Sequence, residues 1–210
     1  MYPCYADSDD EAGVIRGDYF HQDLFVAQRI YINNPIKHVD IGSRIDGFVT
    51  HVASFRAIEI FDIRPIHAQV QNITFKQMDL MNDNPELTNY TNSISCLNAL
   101  EHFGLGRYGD PIRFDGYLLG FENITKMLQQ GGKFYFSVPF GKQQRIEFHA
   151  HRVFSLQYLL NIISPHYEID SFSYVDDFGD FHPNIRLPLE DLIKTLNCKQ
   201  NCGIFELTKK

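Results

Sequence analysis

The sequence predicts an α/β protein with a mostly parallel sheet, and three observations carry that expectation. Short apolar runs rich in Val, Ile and Phe alternate with amphipathic stretches of helical period, the pattern of repeated strand–helix crossovers. Most runs end at an acid, a glycine or a proline, where strands of an open sheet give way to turns. The 210 residues suffice for one full core and fall short of two.

The elements follow in order. Residues 1–17 are acidic and turn-rich and are expected to form a leader, leaving 18–210 as one domain. From Asp18 to Ile32, Phe20, Leu24, Ala27, Gln28 and Tyr31 recur at helical spacing, which predicts a covering helix with that face inward. Asn33-Asn34-Pro35 stops it. His38–Gly42 reads as a short strand entering a turn, and Phe48–Phe55 as a short helix. Ala57–Asp62, Ile73–Gln77 and Ser93–Leu97 are the next three strands. Gly116–Leu128 is expected as an amphipathic helix stopped by Gly131-Gly132. Lys133–Val138 is the fifth strand, closed by Pro139. Ser155 is placed to cap a helix over Leu156–Ile163, and Tyr167–Val175 and Gly203–Leu207 read as the last two strands.

Composition excludes several function classes. Hydrophobic residues at 44% and charged residues at 21% describe a globular chain, and without Trp its core is expected to rest on Phe and Tyr. A formal charge of −7 with no long basic run argues against nucleic-acid binding, which needs clustered Lys and Arg. The start, MYPCYADSDDEAG, lacks the basic and apolar regions of a secretory signal, and no stretch approaches the roughly 20 apolar residues of a membrane span. Of Cys4, Cys96, Cys198 and Cys202 only the last two are close, and no second pair completes a zinc site. Reduced thiols in a cytoplasmic protein are the expectation.

Three strand ends present acids. In HVDIGSRIDG a strand carrying Asp40 enters a turn through Gly42 and Ser43, and a glycine without Cβ lets a ligand approach the main chain. Asp62, followed by Ile63, ends the next strand about 20 residues on, where an acid can accept both hydroxyls of a ribose. Asp79, just past strand three, can accept from an adenine amino group with Met78 and Leu80 flanking the ring. Asp40 and Asp62, each taken alone, also fit an ordinary turn acid. Together the three match the crevice at the carboxyl ends of an open parallel sheet.

On these residues the chain resembles the class I S-adenosylmethionine-dependent methyltransferases, well over about 36–140 and loosely beyond. Asp40-Ile41-Gly42 looks like the family's first motif, Asp62 like its ribose acid and Asp79 like its adenine-side residue. Asn98-Ala-Leu-Glu-His102 sits where its fourth-strand motif faces the methyl donor, and MLQQGGKFYFSVP resembles its helix, Gly-Gly, fifth-strand block. The resemblance implies a Rossmann-like, mostly parallel sheet with an antiparallel C-terminal strand. It further implies S-adenosylmethionine as cofactor, held by Asp40, Gly42, Ser43, Asp62, Ile63, Asp79, Leu80 and Asn98. The strings HVDIGSRIDGF, FDIRP, EHFGLGRYGDP and EFHAHRVFS resemble a subfamily with links to surface polysaccharide synthesis, which implies methyl transfer to oxygen or nitrogen of a small-molecule or glycan acceptor.

The chain departs from the motif after Gly42, where Arg44 and Asp46 replace two further glycines and Gly47 comes one step late. Arg44 either pairs with the cofactor's carboxylate or crowds it. For His102, beside Glu101, catalysis as a base, orientation of the donor and simple packing are all open. Arg107 and Tyr108 lie in the same loop, toward the acceptor. Farther on, Arg145, Glu147, His149, His151 and Arg152 cluster. If extended, Glu147, His149 and His151 share a face. Arg145, His149 and His151 are expected to contact substrate, with Arg145 or Arg152 on a phosphate or carboxylate. A divalent metal on Glu147, His149 and His151, or a solvated loop, are the alternatives, and no metal is expected to be required. In the leading helix, Tyr19, His21 and Asp23 either close over the cofactor or form a polar outer face. Two rivals remain: a methyltransferase fold that only binds a ligand or partner, favoured by Arg44 and Asp46, and a nicotinamide-dependent oxidoreductase, which wants G-x-G-x-x-G where only Gly47 follows Gly42.

Overall fold

The computed structural model describes residues 13, 15–148, 150–185, 188, 191–193 and 197–210. The strands are β1 (Val39–Ile41), β2 (Ile58–Asp62), β3 (Ile73–Gln77), β4 (Thr91–Leu97), β5 (Leu128–Phe140), β6 (Arg145–Glu147), β7 (His151–Val153), β8 (Tyr167–Val175), β9 (Phe181–His182) and β10 (Asn201–Lys209). The helices are α1 (Asp18–Asn33), α2 (Thr50–Ala53), α3 (Gly116–Met127) and α4 (Leu156–Ile163). Eight strands form one sheet in the order β3-β2-β1-β4-β5-β10-β8-β9. From β3 to β5 every pairing is parallel. β10 inserts antiparallel between β5 and β8, as the resemblance implied.

Side chains alternate across the strands, so each strand feeds two cores. Phe134 and Phe136 pack with Phe121 and Ile124 of α3 and Leu159 of α4 on one face. Tyr135, Ile58 and Ile60 pack with Val26 and Ile30 of α1 and Val52 of α2 on the other. Burial on both faces is what parallel strands between helix layers require.

Helix α1 forms where expected, but with a different face inward. Gln22, Asp23, Val26, Ala27 and Ile30 are buried, whereas Phe20, Leu24 and Tyr31 are 42%, 39% and 67% exposed. The reason is a polar seam on the inward face. Ser137 of β5 donates to Gln22 Oε1 at 2.5 Å, and Gln22 Nε2 donates to Asp23 at 3.0 Å. Partnered polar groups can be buried at little cost, so an apolar count misplaces the face.

Other boundaries move: β5 runs through Pro139 to Phe140 and is not closed by that proline, which pairs with Cys202 of β10. α3 ends at Met127, before Gly131-Gly132, because Leu128 is already extended (φ −78, ψ 134) and begins β5. Between Leu128, opposite Thr91, and Lys133, opposite Ser93, the extra residues bulge out, and Gly131 there takes a positive φ of 73°. The turn after β1 winds from Ile45, ahead of the expected Phe48, into α2. Ser155 caps α4 as expected, its Oγ accepting from Tyr158 N–H at 3.3 Å. The β6–β7 hairpin was not foreseen.

Candidate functional site

A cleft of about 350 Å³ opens at the carboxyl ends of β1 to β4. This is the crevice position of open α/β sheets, and the volume suits a small-molecule ligand. Asp18 and Tyr19 of α1 line it from above, and His151 of β7 and Gln200 close its far side.

The turn after β1 supplies its floor. Gly42 lines the cleft, with φ 68°, and a Cβ there would meet the Ala99 Cβ at 3.1 Å. The glycine therefore serves the bend of the chain itself, beyond any closeness to a ligand. Asp40 and Ser43 are buried and not among the residues lining the cleft. Asp40 accepts from Ser43 N–H at 3.0 Å, Ser43 Oγ at 2.6 Å and Ser95 Oγ at 2.5 Å. The structure thus corrects the expectation of direct contact for these two: they hold the turn. Burial pushes the Asp40 carboxyl up to about 6 despite those hydrogen bonds. Arg44 lines the cleft but is bound to Asp46 at 2.9 Å and lies over the Tyr19 ring at 4.8 Å. Gly47 makes room for α1, since a Cβ there would collide with the Asp23 carboxylate. Of the three polar α1 residues singled out, Tyr19 reaches the cleft, while His21 stacks on Phe181 and Asp23 turns inward.

One wall comes from β2 and β3. Asp62, Ile63, Met78, Asp79 and Leu80 all line the cleft. Both acids have partners already. Asp62 accepts from Arg64 N–H at 2.8 Å, Arg64 Nε at 3.0 Å and Arg64 Nη2 at 2.7 Å. Asp79 accepts from Met81 N–H at 2.9 Å and Asn82 Nδ2 at 3.3 Å. An ionised carboxylate offers about four lone-pair sites, so each retains capacity for a ligand. Arg64, which lines the cleft and stacks over Tyr108 at 4.4 Å, was missed from sequence. Its spacing, two residues past Asp62 in a proline turn, was the available signal.

The opposite wall follows β4. Asn98, Glu101, His102, Arg107 and Tyr108 all line the cleft. Asp110 cages the loop by accepting from Gly104 N–H at 2.8 Å, Gly106 N–H at 3.2 Å and Tyr108 N–H at 3.2 Å. Gly104 and Gly106, with φ 77° and 73°, permit that cage. Arg152 is buried and donates to the carbonyls of Glu101 and Phe103 at 3.2 and 2.6 Å, so it staples the loop and does not face an anion. His102 Nδ1 lies 2.6 Å from the Ala150 carbonyl, which can only accept, so Nδ1 carries the proton and Nε2 is bare. Burial lowers this imidazole to about 4. Nε2 faces Glu101 Oε1 at 3.7 Å, too long for a hydrogen bond. Glu101 is 2% exposed, its Oε2 is buried without a partner, and burial raises its carboxyl to about 8.

The hairpin rearranges the third cluster. Glu147 and His151 stand opposite each other across it on one face, 3.8 Å apart, though on two strands and not along one extended segment. His151 reaches the cleft beside His102, their ring centroids 6.2 Å apart. Arg145 does not line it, being held by Glu147 at 2.9 Å and by the Lys199 carbonyl at 3.0 Å. His149 lies outside the described residues. Among the described residues no three His, Cys, Asp or Glu side chains gather as a metal site.

Comparisons with known proteins agree with the fold. The model of the family described as "Caenorhabditis protein of unknown function, DUF268" matches residues 49–183. No curated protein matches the sequence. Among solved structures, a 1,6-didemethyltoxoflavin N1-methyltransferase from Burkholderia thailandensis, with that compound and S-adenosylhomocysteine bound, superposes with a TM-score of 0.62 at 11% identity, over 90% of this chain and 78% of that one. The N-methyltransferase NodS from Bradyrhizobium japonicum WM9, in complex with S-adenosylhomocysteine, gives 0.58 at 11% identity, over 98% and 91%. The [4+2]-cyclase SpnF gives 0.63 at 13% identity, over 94% and 85%. At such identities the likeness establishes the fold, which is that of the class I methyltransferases.

Proposed function

This chain belongs to the DUF268 family, and we propose that it binds S-adenosylmethionine in the cleft and transfers its methyl group to an oxygen or nitrogen of a small-molecule or glycan acceptor. The observation that carries the reading is the pairing of two unlike walls in one crevice: Asp62 and Asp79 opposite Glu101 and His102. The residues present fit the donor. Asp62 is at the level of a ribose, Asp79 at that of an adenine edge, and Met78, Leu80 and Ile63 provide apolar contact. Arg44, held by Asp46, is turned to its neighbour. When bound, the donor supplies a methyl group activated on a sulfonium. The protein aligns that carbon with the acceptor and excludes water under Tyr19. His102, neutral and bare at Nε2, is the base that removes the acceptor's proton, with Asn98 and Glu101 beside it and Arg107, Tyr108 and His151 toward the acceptor. The subsidiary parts of the reading are a cytoplasmic protein with residues 18–210 as one domain, and a glycan acceptor, supported by the resemblance to chains linked to surface polysaccharide synthesis.

Calorimetry tests it. S-adenosylhomocysteine should bind in the micromolar range, about −8 kcal/mol, and NADH should not. Asp62→Ala removes a charged acceptor and should weaken binding by roughly tenfold to a hundredfold, about 1.5–3 kcal/mol. Silence with wild-type protein at millimolar ligand would sink the reading. It would favour a fold that binds another ligand or a partner, the reading that Arg64 on Asp62 supports.

A further inference from the structure

The proposed function leaves the acceptor atom open between oxygen and nitrogen, and the wall after β4 discriminates between them. Glu101 and His102 present two acceptors 3.7 Å apart on the lining of the cleft: a carboxyl oxygen and a bare imidazole nitrogen. The tautomer is locked from behind by the Ala150 carbonyl. Glu101 Oε2 is a buried oxygen with no partner at all. Such a group is costly to bury and is normally answered by a donor. The cations nearby are committed elsewhere: Arg107 Nη1 donates to the Ala150 carbonyl at 2.9 Å, and Arg64 pairs with Asp62.

We propose, building on the methyltransferase reading, that the acceptor is an amine, entering as an ammonium with its nitrogen between Glu101 and Nε2 of His102. A nitrogen with several hydrogens can donate to both groups at once. A hydroxyl has one hydrogen, so it can donate to only one of the two groups, and it brings no charge to displace a proton from Glu101. The ammonium also supplies the charge that an ionised buried carboxylate lacks. Proton handling then divides between the two residues. Glu101 holds the cation, and the ammonium passes one N–H proton to Nε2, which frees the nitrogen lone pair. That lone pair forms the new N–C bond while the S–C bonding pair stays on sulfur. The products are a methylammonium and a thioether, and the imidazolium returns its proton to water.

Glu101 carries a proton in the free cleft, and an arriving cation displaces it. The groups facing it are His102 and Arg107 of its own loop, Tyr19 of α1, and Cys96 and Cys202 of the sheet. Of these, His102 is held neutral at pH 7 by burial, and burial raises both thiols and the Tyr19 phenol. Amine binding at pH 7 should therefore release close to one proton from Glu101.

The test is calorimetry at pH 7 with S-adenosylhomocysteine saturating, in two buffers of different ionisation enthalpy. Glucosamine against glucose and phenethylamine against 2-phenylethanol serve as matched probes. At least one amine should bind roughly tenfold tighter than its hydroxyl partner, as expected for hydrogen bonds to a charged group. It should release about one proton where the alcohol releases none. Glu101→Gln should abolish both the preference and the proton release while S-adenosylhomocysteine affinity stays within about threefold. His102→Gln, a second variant, should lower the preference and keep the proton release. Equal binding of the hydroxyl probes, amine binding without proton release, or no amine binding by protein that holds S-adenosylhomocysteine would overturn the inference. Failure to bind S-adenosylhomocysteine would instead strike the underlying methyltransferase reading.

Discussion

The two walls of the cleft differ in how their charges are answered. On the β2–β3 side, Asp62 and Asp79 each hold hydrogen bonds from residues two or three positions ahead in the chain. On the β4 side, Glu101 is buried, lacks a partner at Oε2 and stands 3.7 Å from a bare imidazole nitrogen. The first wall is locally satisfied, so a ligand there would have to compete with hydrogen bonds already made. The second is incomplete without one. A satisfied carboxylate contributes affinity only as a difference between two sets of hydrogen bonds, whereas an unanswered one contributes nearly the whole interaction. Residues that discriminate among ligands are therefore to be sought after β4, and residues that anchor the common part of a ligand at the ends of β2 and β3.

The sharpest break in this contrast is His102→Ala. Loss of a general base typically costs about 10²–10⁴-fold in rate, so kcat on a methylated acceptor should fall by roughly that factor. S-adenosylhomocysteine affinity should stay within about threefold, because the β2–β3 wall is intact. Near-wild-type turnover by a stable variant would remove His102 from the chemistry.

A smaller effect probes the buried carboxyl in the free protein. Burial raises Glu101 from its ordinary value to about 8, so the folded state binds its proton more tightly than the unfolded chain. Stability from this group is complete below about 4.5 and is lost as pH rises through 8. His38, held by burial near 3, opposes this only below about 6.5, where the unfolded imidazole takes up a proton. Between pH 6.5 and 8 wild-type stability should accordingly fall by roughly 2 kcal/mol. Urea melts of Glu101→Gln should be nearly flat over that window. A wild-type curve equally flat would show that Glu101 is answered in solution.

The smallest effect sharpens the other wall. Arg64→Ala frees Asp62 from an ion pair whose arginine is half exposed, and such pairs are worth about 0.2–1 kcal/mol. S-adenosylhomocysteine should then bind up to about fivefold tighter by calorimetry. Weaker binding would mean that Arg64 itself touches the ligand.

Much of this site was legible in the chain. Asp62, Ile63, Asp79 and Leu80 line the cleft because a strand's end fixes where its last side chains stand, and strand ends are visible as apolar runs meeting turn residues. Asp40 and Ser43 were misread because the same position serves two purposes. A short polar side chain just before a tight turn binds its own backbone as readily as a ligand, and here Ser43 N–H and Ser95 Oγ claimed Asp40. Arg145 was misread for a similar reason, since Glu147 two residues on became its partner. Gln200 entered the site with no sequence signal, carried there by the loop before β10.

By itself the sequence determined the α/β alternation, the positions of the strand ends and so the crevice with the acids Asp62 and Asp79 on its lining. These follow from periodicity and turn chemistry within windows of a few residues, where local sterics and apolar burial dominate. The tertiary structure alone decided which face of α1 turned inward, that Ser95 answers Asp40, and that Glu101 is buried with one oxygen unanswered. It also set the tautomer of His102 and the pairing of Glu147 with His151. Each of those depends on a partner such as Ser137, Ser95 or Ala150, brought near by β-sheet pairing or by the fold of the hairpin. Burial and hydrogen-bond satisfaction are properties of that assembled neighbourhood rather than of any residue's type.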